Sequence, residues 1–193
     1  MKILGIYGSP RKGGNSEVVL DRVLEGAAAA GAEVKTVHVR DLKMSGCLEC
    51  GACEKEGNCV VKDDMQKVYP LLEEADVIVL ASPIFFYGLS AQAKAVVDRA
   101  QALWSRRMLK KPRSQWKNHE SGTGYLVAVG ATKGKNLFEG VKYVAKYFFD
   151  AMDMDYEGGL FYKGLEGKDD AKNSPEILEE AYSFGKKIVE DER

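Results

Sequence analysis

The chain has 193 residues, 45% of them hydrophobic, and its 28 basic and 29 acidic side chains leave a formal net charge of −1. That length suits one domain with one sizeable core, and the balanced charge excludes a global field that would recruit nucleic acid or a membrane surface. No apolar run reaches membrane-spanning length and the opening MKILGIYGSP is too short for a signal peptide, so a cytoplasmic location is expected.

Apolar runs and helical patterns alternate along the chain. Lys2 to Gly8 reads as a strand, and Ser16 to Gly31 as a helix with Leu20, Val23, Leu24 and Ala27 on one stripe and Gly31 closing it. Glu33 to Val39 reads as a second strand. The cysteine run follows, then a helix capped by Asp63 or Asp64 that runs to about Glu74, with a kink expected at Pro70. Asp76 to Ser82 (DVIVLAS) is apolar throughout, as a strand covered on both faces should be. Ser90 to about Trp104 reads as helix, Tyr125 to Gly130 as strand, Leu137 to Asp150 as helix and Met154 to Phe161 as strand, while Ser174 and Pro175 open the last helix. Five β–α units imply a single flavodoxin-like domain over residues 1–193. Its expected form is a three-layer α/β/α sandwich on a five-stranded parallel sheet of order 2-1-3-4-5. Ligands then belong beyond the carboxyl ends of the first and third strands, where the strand order reverses.

Every cysteine of the chain falls in one loop, GCLECGACEKEGNCV, as C-x2-C-x2-C-x5-C over Cys47, Cys50, Cys53 and Cys59. Bridges within so short a loop would tie together almost nothing, and a reducing compartment disfavours them. A ligand set is the better reading. Structural zinc usually takes two C-x2-C pairs separated by a dozen or more residues, whereas three sulfurs at three-residue intervals resemble a ferredoxin run. The spacing therefore favours one 4Fe–4S cluster over zinc. A reduced, metal-free loop remains the bland alternative.

Two loops flank the expected ligand crevice. After the first strand, GSPRKGGNSE aims backbone N–H groups and a helix N-terminus at one point, which makes an anion cradle. Gly13 and Gly14 allow close backbone approach, Ser9, Asn15 and Ser16 offer side-chain hydrogen bonds, and Arg11 offers charge. Neither a P-loop ending nor a G-x-G-x-x-G run is present, so a phosphate monoester is the expected anion. After the third strand, SPIFFYGLSAQAK presents Pro83, Ile84, Phe85, Phe86 and Tyr87 before Gly88. A flat aromatic ligand with a phosphate tail, FMN, suits such a crevice. GATKGKN, with Ala131 and Thr132, supplies a third loop on the same edge.

These three features together resemble the iron–sulfur flavoproteins, a branch of the flavodoxin-like NAD(P)H-dependent FMN reductase superfamily. The resemblance covers essentially the whole chain. It implies FMN held by Ser9, Arg11, Asn15 and Ser16 at the phosphate and by Pro83 to Gly88 near the ring. It also implies a 4Fe–4S cluster on Cys47, Cys50, Cys53 and Cys59, and homodimers or homotetramers with the flavin near a subunit interface.

The leading expectation is an electron-transfer flavoenzyme that takes electrons from a low-potential donor such as ferredoxin, through cluster and FMN, to oxygen, peroxide or a quinone. An NAD(P)H-dependent FMN or quinone reductase with a structural or zinc-bound cysteine loop is the first alternative, and a non-enzymatic redox or metal sensor is the second. His38 and His119 are read as surface or satisfied residues, and no side chain is expected to act as an acid or base. Arg106, Arg107, Lys110, Lys111, Arg113 and Lys117 form a basic stretch read either as a docking patch for an acidic donor or as a structural connection.

Overall fold

The computed structural model describes residues 1–191. In chain order the elements are β1 (Lys2–Tyr7), α1 (Asn15–Ala29), β2 (Glu33–His38), α2 (Cys53–Glu56), α3 (Met65–Glu74), β3 (Val77–Phe85) and β4 (Gly88–Leu89). Then come α4 (Ala91–Arg99), α5 (Gln101–Lys110), β5 (Gly122–Gly130), α6 (Glu139–Ala151), β6 (Met154–Lys163) and α7 (Pro175–Asp191). The parallel strands lie in the order β2-β1-β3-β5-β6, which is the expected 2-1-3-4-5 once β4 is set aside as a two-residue antiparallel hairpin arm on β3.

Alternation along the strands divides the core in two. On one face Leu4, Ile6, Ile78, Leu80 and Leu126 pack with residues of α3, α4, α5 and α6; on the other Ile3, Tyr7, Val77, Val79 and Val127 pack with α1 and α7. The α1–α7 pair is close because glycine stands at both contact points. A Cβ on Gly26 would lie 2.0 Å from the Tyr182 carbonyl oxygen, and one on Gly185 would lie 1.9 Å from that of Val23.

Two local features depart from the expected elements. The helix from Ser90 breaks at Ala100, because the Tyr69 hydroxyl donates to the Arg99 carbonyl at 2.9 Å and draws it out of the ladder. The Leu103 N–H bonds the Ala100 carbonyl instead, a three-residue step from which α5 starts. Inside the cysteine loop the chain makes one short helix, α2, closed by the Gly57 N–H on the Cys53 carbonyl at 2.7 Å. The helix α3 runs from Met65 to Glu74 with Pro70 inside it, matching the expected end at Glu74.

Half of the basic stretch is neutralised from within. Arg106 pairs with Glu73, and Arg107 and Lys111 both reach Asp153 at 2.9 Å, so three of its six cations are committed to the fold. Trp104 and Trp116 meet edge to face at 6.1 Å behind them. This favours the structural connection over the docking patch.

Candidate functional site

The loops at the carboxyl ends of the strands are joined at their roots. The Gly8 N–H donates to the Ala81 carbonyl at 2.8 Å, and the Ser90 hydroxyl donates to the Gly8 carbonyl while accepting the Ala93 N–H at 3.1 Å. Ser82, wholly buried, accepts the Ser90 N–H at 3.0 Å. One serine thus caps α4 and fixes the loop after β1 to the segment after β3, a role announced in sequence only by its position ahead of a helical stripe.

Within the first loop Ser9 is buried, and its hydroxyl closes a tight turn by accepting the Arg11 N–H at 3.1 Å. Arg11, Lys12 and Pro10 are exposed at the rim, and Gly13 takes a left-handed conformation with φ +63. Gly14 precedes α1 and no side chain caps that helix, so the N–H groups of Asn15 and Ser16 face the loop without an intrahelical acceptor. Open N–H groups and the positive end of a helix dipole are the chemistry that attracts an anion. The Asn15 side chain is directed elsewhere: it donates to the Gly167 carbonyl at 2.7 Å and accepts the Ala171 N–H at 3.0 Å, anchoring the loop after β6.

Opposite, β3 turns into β4 through Phe86 and Tyr87, whose φ values of 50 and 61 make a tight hairpin of the kind usually given to Asn and Gly. Such backbone costs on the order of 1–3 kcal/mol per residue and persists where the surroundings hold it. Tyr87 is held by the third loop, where a Cβ on Gly134 would lie 2.2 Å from its hydroxyl. Phe86 projects fully into solvent and Phe85 is half exposed, while Pro83, Ile84 and Gly88 are partly buried beneath them. Ala131 and Thr132 lie exposed just beyond β5, and Lys163 from β6 donates to the Gly134 carbonyl at 2.6 Å, fastening that loop in turn.

The cysteine loop leans on a different part of the molecule. Cys47, Cys50, Cys53 and Cys59 are all free thiols and line one cavity of about 410 Å³, closed by Asp98, Arg99, Gln101 and Ala102 at the α4–α5 junction. Ser105 donates to the Cys53 sulfur at 3.4 Å, and Gln66 holds the loop by donating to the carbonyls of Cys59 and Val61 at 3.0 and 2.8 Å. Arg99 is buried and grips Asp63 with two N–H groups at 2.7 and 3.1 Å and the Ser45 carbonyl with a third contact at 3.1 Å. That fork, with the Ser45 and Met65 N–H groups, holds the Asp63 carboxyl below its usual range. Burial raises the Tyr69 hydroxyl above its usual range, and its contact with Cys59 adds to this. Among the described residues no three His, Cys, Asp or Glu side chains converge closely enough to hold a metal ion. The chemistry of the lining fits a thiolate-bound group, with the sulfurs standing apart in this conformation.

The crevice and the cavity are linked by α4. Ser90 at its start ties down the crevice and Arg99 at its end lines the cavity, nine helical residues on, or about 13 Å at 1.5 Å each. The cavity therefore lies over the α3–α4–α5 layer and not beside the flavin edge on the strand ends. Arg99, Tyr69, Gln66 and Ser105 are absent from the residues singled out in sequence. The signal for Arg99 was a charge at three-residue spacing from Ala93 and Val96, on the apolar stripe of α4.

The family model for NADPH-dependent FMN reductase matches residues 1–154. An iron-sulfur flavoprotein of Methanocaldococcus jannaschii is 32% identical over 198 residues, covering 98% of this chain and 96% of that protein. An iron-sulfur flavoprotein of Archaeoglobus fulgidus is 43% identical over 99 residues, which cover 51% of this chain and 45% of that protein. Among solved structures, an NAD(P)H:quinone oxidoreductase from Methanothermobacter marburgensis superposes with a TM-score of 0.70 at 14% identity, covering 97% of this chain and 94% of that one, a likeness of fold. With the phosphate loop, the aromatic hairpin and the cysteine run on one flavodoxin-like sheet, the chain belongs to the NADPH-dependent FMN reductase family, in its iron–sulfur flavoprotein branch, and is a flavin-dependent oxidoreductase.

Proposed function

We propose that the protein passes electrons between a low-potential donor, a 4Fe–4S cluster on Cys47, Cys50, Cys53 and Cys59, and FMN, and delivers them to a small acceptor such as oxygen, peroxide or a quinone. The observation that carries this is the gathering of all four free thiols around one cavity. Ferredoxin and NAD(P)H are the donors considered, the first for single electrons through the cluster and the second for a hydride directly to the flavin.

In this reading residues 1–193 form one flavin-binding domain. Ser9, Arg11, Gly13 and Ser16, with the first N–H groups of α1, hold the FMN phosphate, and Asn15 fixes the loop that carries them. Pro83, Ile84, Phe85, Phe86, Tyr87 and Gly88 wall the ring on one side, and Ala131 and Thr132 border it on another. FMN supplies the exchange between one-electron and two-electron chemistry, and the protein supplies position and electrostatics. Exposed Tyr143 and Tyr147 on α6, with Phe86, support assembly as a homodimer or homotetramer. No described helix is long and apolar enough to cross a membrane, in keeping with a cytoplasmic protein.

The test is anaerobic reconstitution of the purified chain with iron and sulfide, then measurement of iron, acid-labile sulfide and FMN. One 4Fe–4S cluster and one FMN per chain are expected, and Cys50→Ser should lose the cluster while keeping FMN, since no spare cysteine exists to replace it. Zinc without sulfide would reject the cluster. The separation of the sulfurs in this conformation favours a second reading, an NAD(P)H-dependent quinone or FMN reductase with a structural loop. Full turnover of Cys50→Ser with NAD(P)H and a quinone would establish it.

A further inference from the structure

We propose that Arg99 tunes the group held in the cysteine cavity, as the buried cation and N–H donor that faces its sulfur atoms. This rests on the cluster reading above. The Arg99 side chain is 1% exposed and lines the cavity with the four cysteines. The other charged residues of that lining, Glu49, Glu54 and Asp98, are acidic, so Arg99 is its one cation.

The guanidinium is only partly satisfied by the protein. Its Nη1 and Nη2 are spent on Asp63 and on the Ser45 carbonyl, while Nε, buried, has no hydrogen-bond partner. Arginine keeps its proton under all ordinary conditions, so a buried Nε–H without an acceptor is a standing cost. A sulfur acceptor in the cavity would remove it. Asp63 meets the guanidinium through Nη1 and Nη2 and also accepts the N–H groups of Ser45 and Met65 at 3.2 and 3.1 Å, so Nε–H is left without a carboxylate on it.

A thiolate-ligated iron–sulfur group is anionic and gains a further negative charge when it takes up an electron. A cation and N–H donor at its edge, screened little by solvent, favours that reduced state, and hydrogen bonds to the sulfurs are among the terms that set such potentials. The tie between Tyr69 and the Arg99 carbonyl fixes the backbone from which the side chain extends, so the charge is held at one place. Asp63 is then the counterweight: it orients the fork and lowers the field that the cavity feels.

Wild type, Arg99→Met, Arg99→Lys and Asp63→Asn are reconstituted anaerobically and titrated with dithionite in the presence of mediators, with the cluster followed by electron paramagnetic resonance and FMN by absorbance. In Arg99→Met at least tenfold less cluster should be reduced at a fixed potential, a shift of about 59 mV for one electron. Asp63→Asn should shift the cluster the other way, Arg99→Lys should fall between Arg99→Met and wild type, and the flavin potentials should not move. A merely structural role for the Arg99–Asp63 pair would loosen the loop in both variants and could not move the potential in opposite directions. Should Arg99→Met fail to retain the cluster, Asp63→Asn and Arg99→Lys carry the comparison. Cluster potentials equal to wild type, or shifted in the same direction by Arg99 and Asp63 variants, overturn the proposal while leaving the cluster in place. A wild type that takes up iron without sulfide overturns the cluster itself and this role with it.

Discussion

At the crevice beyond β1 and β3 the loops are fastened to one another, and the first N–H groups of α1 are left open. Ser90, Ser82, Gly8 and Ala81 are locked to one another, Tyr87 is pinned over Gly134, and Asn15 reaches across 152 residues to Gly167. In the cysteine loop Cys47 and Cys50 stand exposed, a buried Arg99 Nε lacks an acceptor, and the sulfurs do not converge. The contrast separates two kinds of site. On the proposed function a phosphate would meet a preformed cradle at little reorganisation, whereas a thiolate-bound group would have to draw its loop together, so that binding and local ordering become one event.

The largest way to break this contrast is Ser90→Ala, which removes a helix cap and leaves the Gly8 carbonyl and Ala93 N–H without their shared partner. Losing a cap and a buried hydrogen bond costs about 2 kcal/mol, and flavin affinity should fall with stability, while iron and sulfide content per folded chain stays at the wild-type level. Urea denaturation and fluorescence titration with FMN read the two effects. If the cluster were lost and FMN kept, the two sites would not be built independently.

Next in size is the pair Arg11→Ala and Ser16→Ala, which takes charge and one hydroxyl from the cradle but leaves its backbone N–H groups. A hydrogen bond to a charged group contributes roughly 1.5–3 kcal/mol, so the FMN dissociation constant should rise at least about tenfold without loss of stability. Unchanged affinity would assign phosphate binding to the backbone alone.

The smallest effect belongs to the far end of the sheet, where His119 bridges Asp155 at 2.7 Å and Asp150 at 2.8 Å. Burial opposes its charge, but the two carboxylates outweigh burial and raise its pKa above the ordinary 6.5. A raised folded-state pKa means that His119 stabilises the fold fully below about pH 6.5 and loses that contribution as pH rises through the folded value. The advantage of wild type over His119→Gln in urea should therefore shrink as pH rises above about 6.5, by less than about 1 kcal/mol since the pair is partly solvated. Flavin and iron content should not follow it.

The sheet was legible in the sequence because DVIVLAS and the other apolar runs alternate with helical stripes, and a doubly wound order follows from right-handed crossovers. The cradle and the cysteine run were legible as local motifs. What escaped was set by contacts distant in sequence. Asn15 resembled a phosphate ligand until Gly167 and Ala171 claimed its amide, and Arg99 resembled an ordinary helical charge until Ser45 and Asp63 closed around it. Half of the basic stretch was silenced by Glu73 and Asp153, neither of them adjacent to it in the chain.

The break at Ala100 has a geometric consequence for everything after it. On a continuous helical wheel started at Ser90, Ser105 and Arg106 would fall at azimuths fixed by α4. One phenol takes up the Arg99 carbonyl where the ladder is interrupted, and after the interruption Ser105 bonds the Cys53 sulfur and Arg106 the Gly57 carbonyl. A side chain on α3 thereby marks the joint between two helices, and the residues just past that joint hold a neighbouring loop in place.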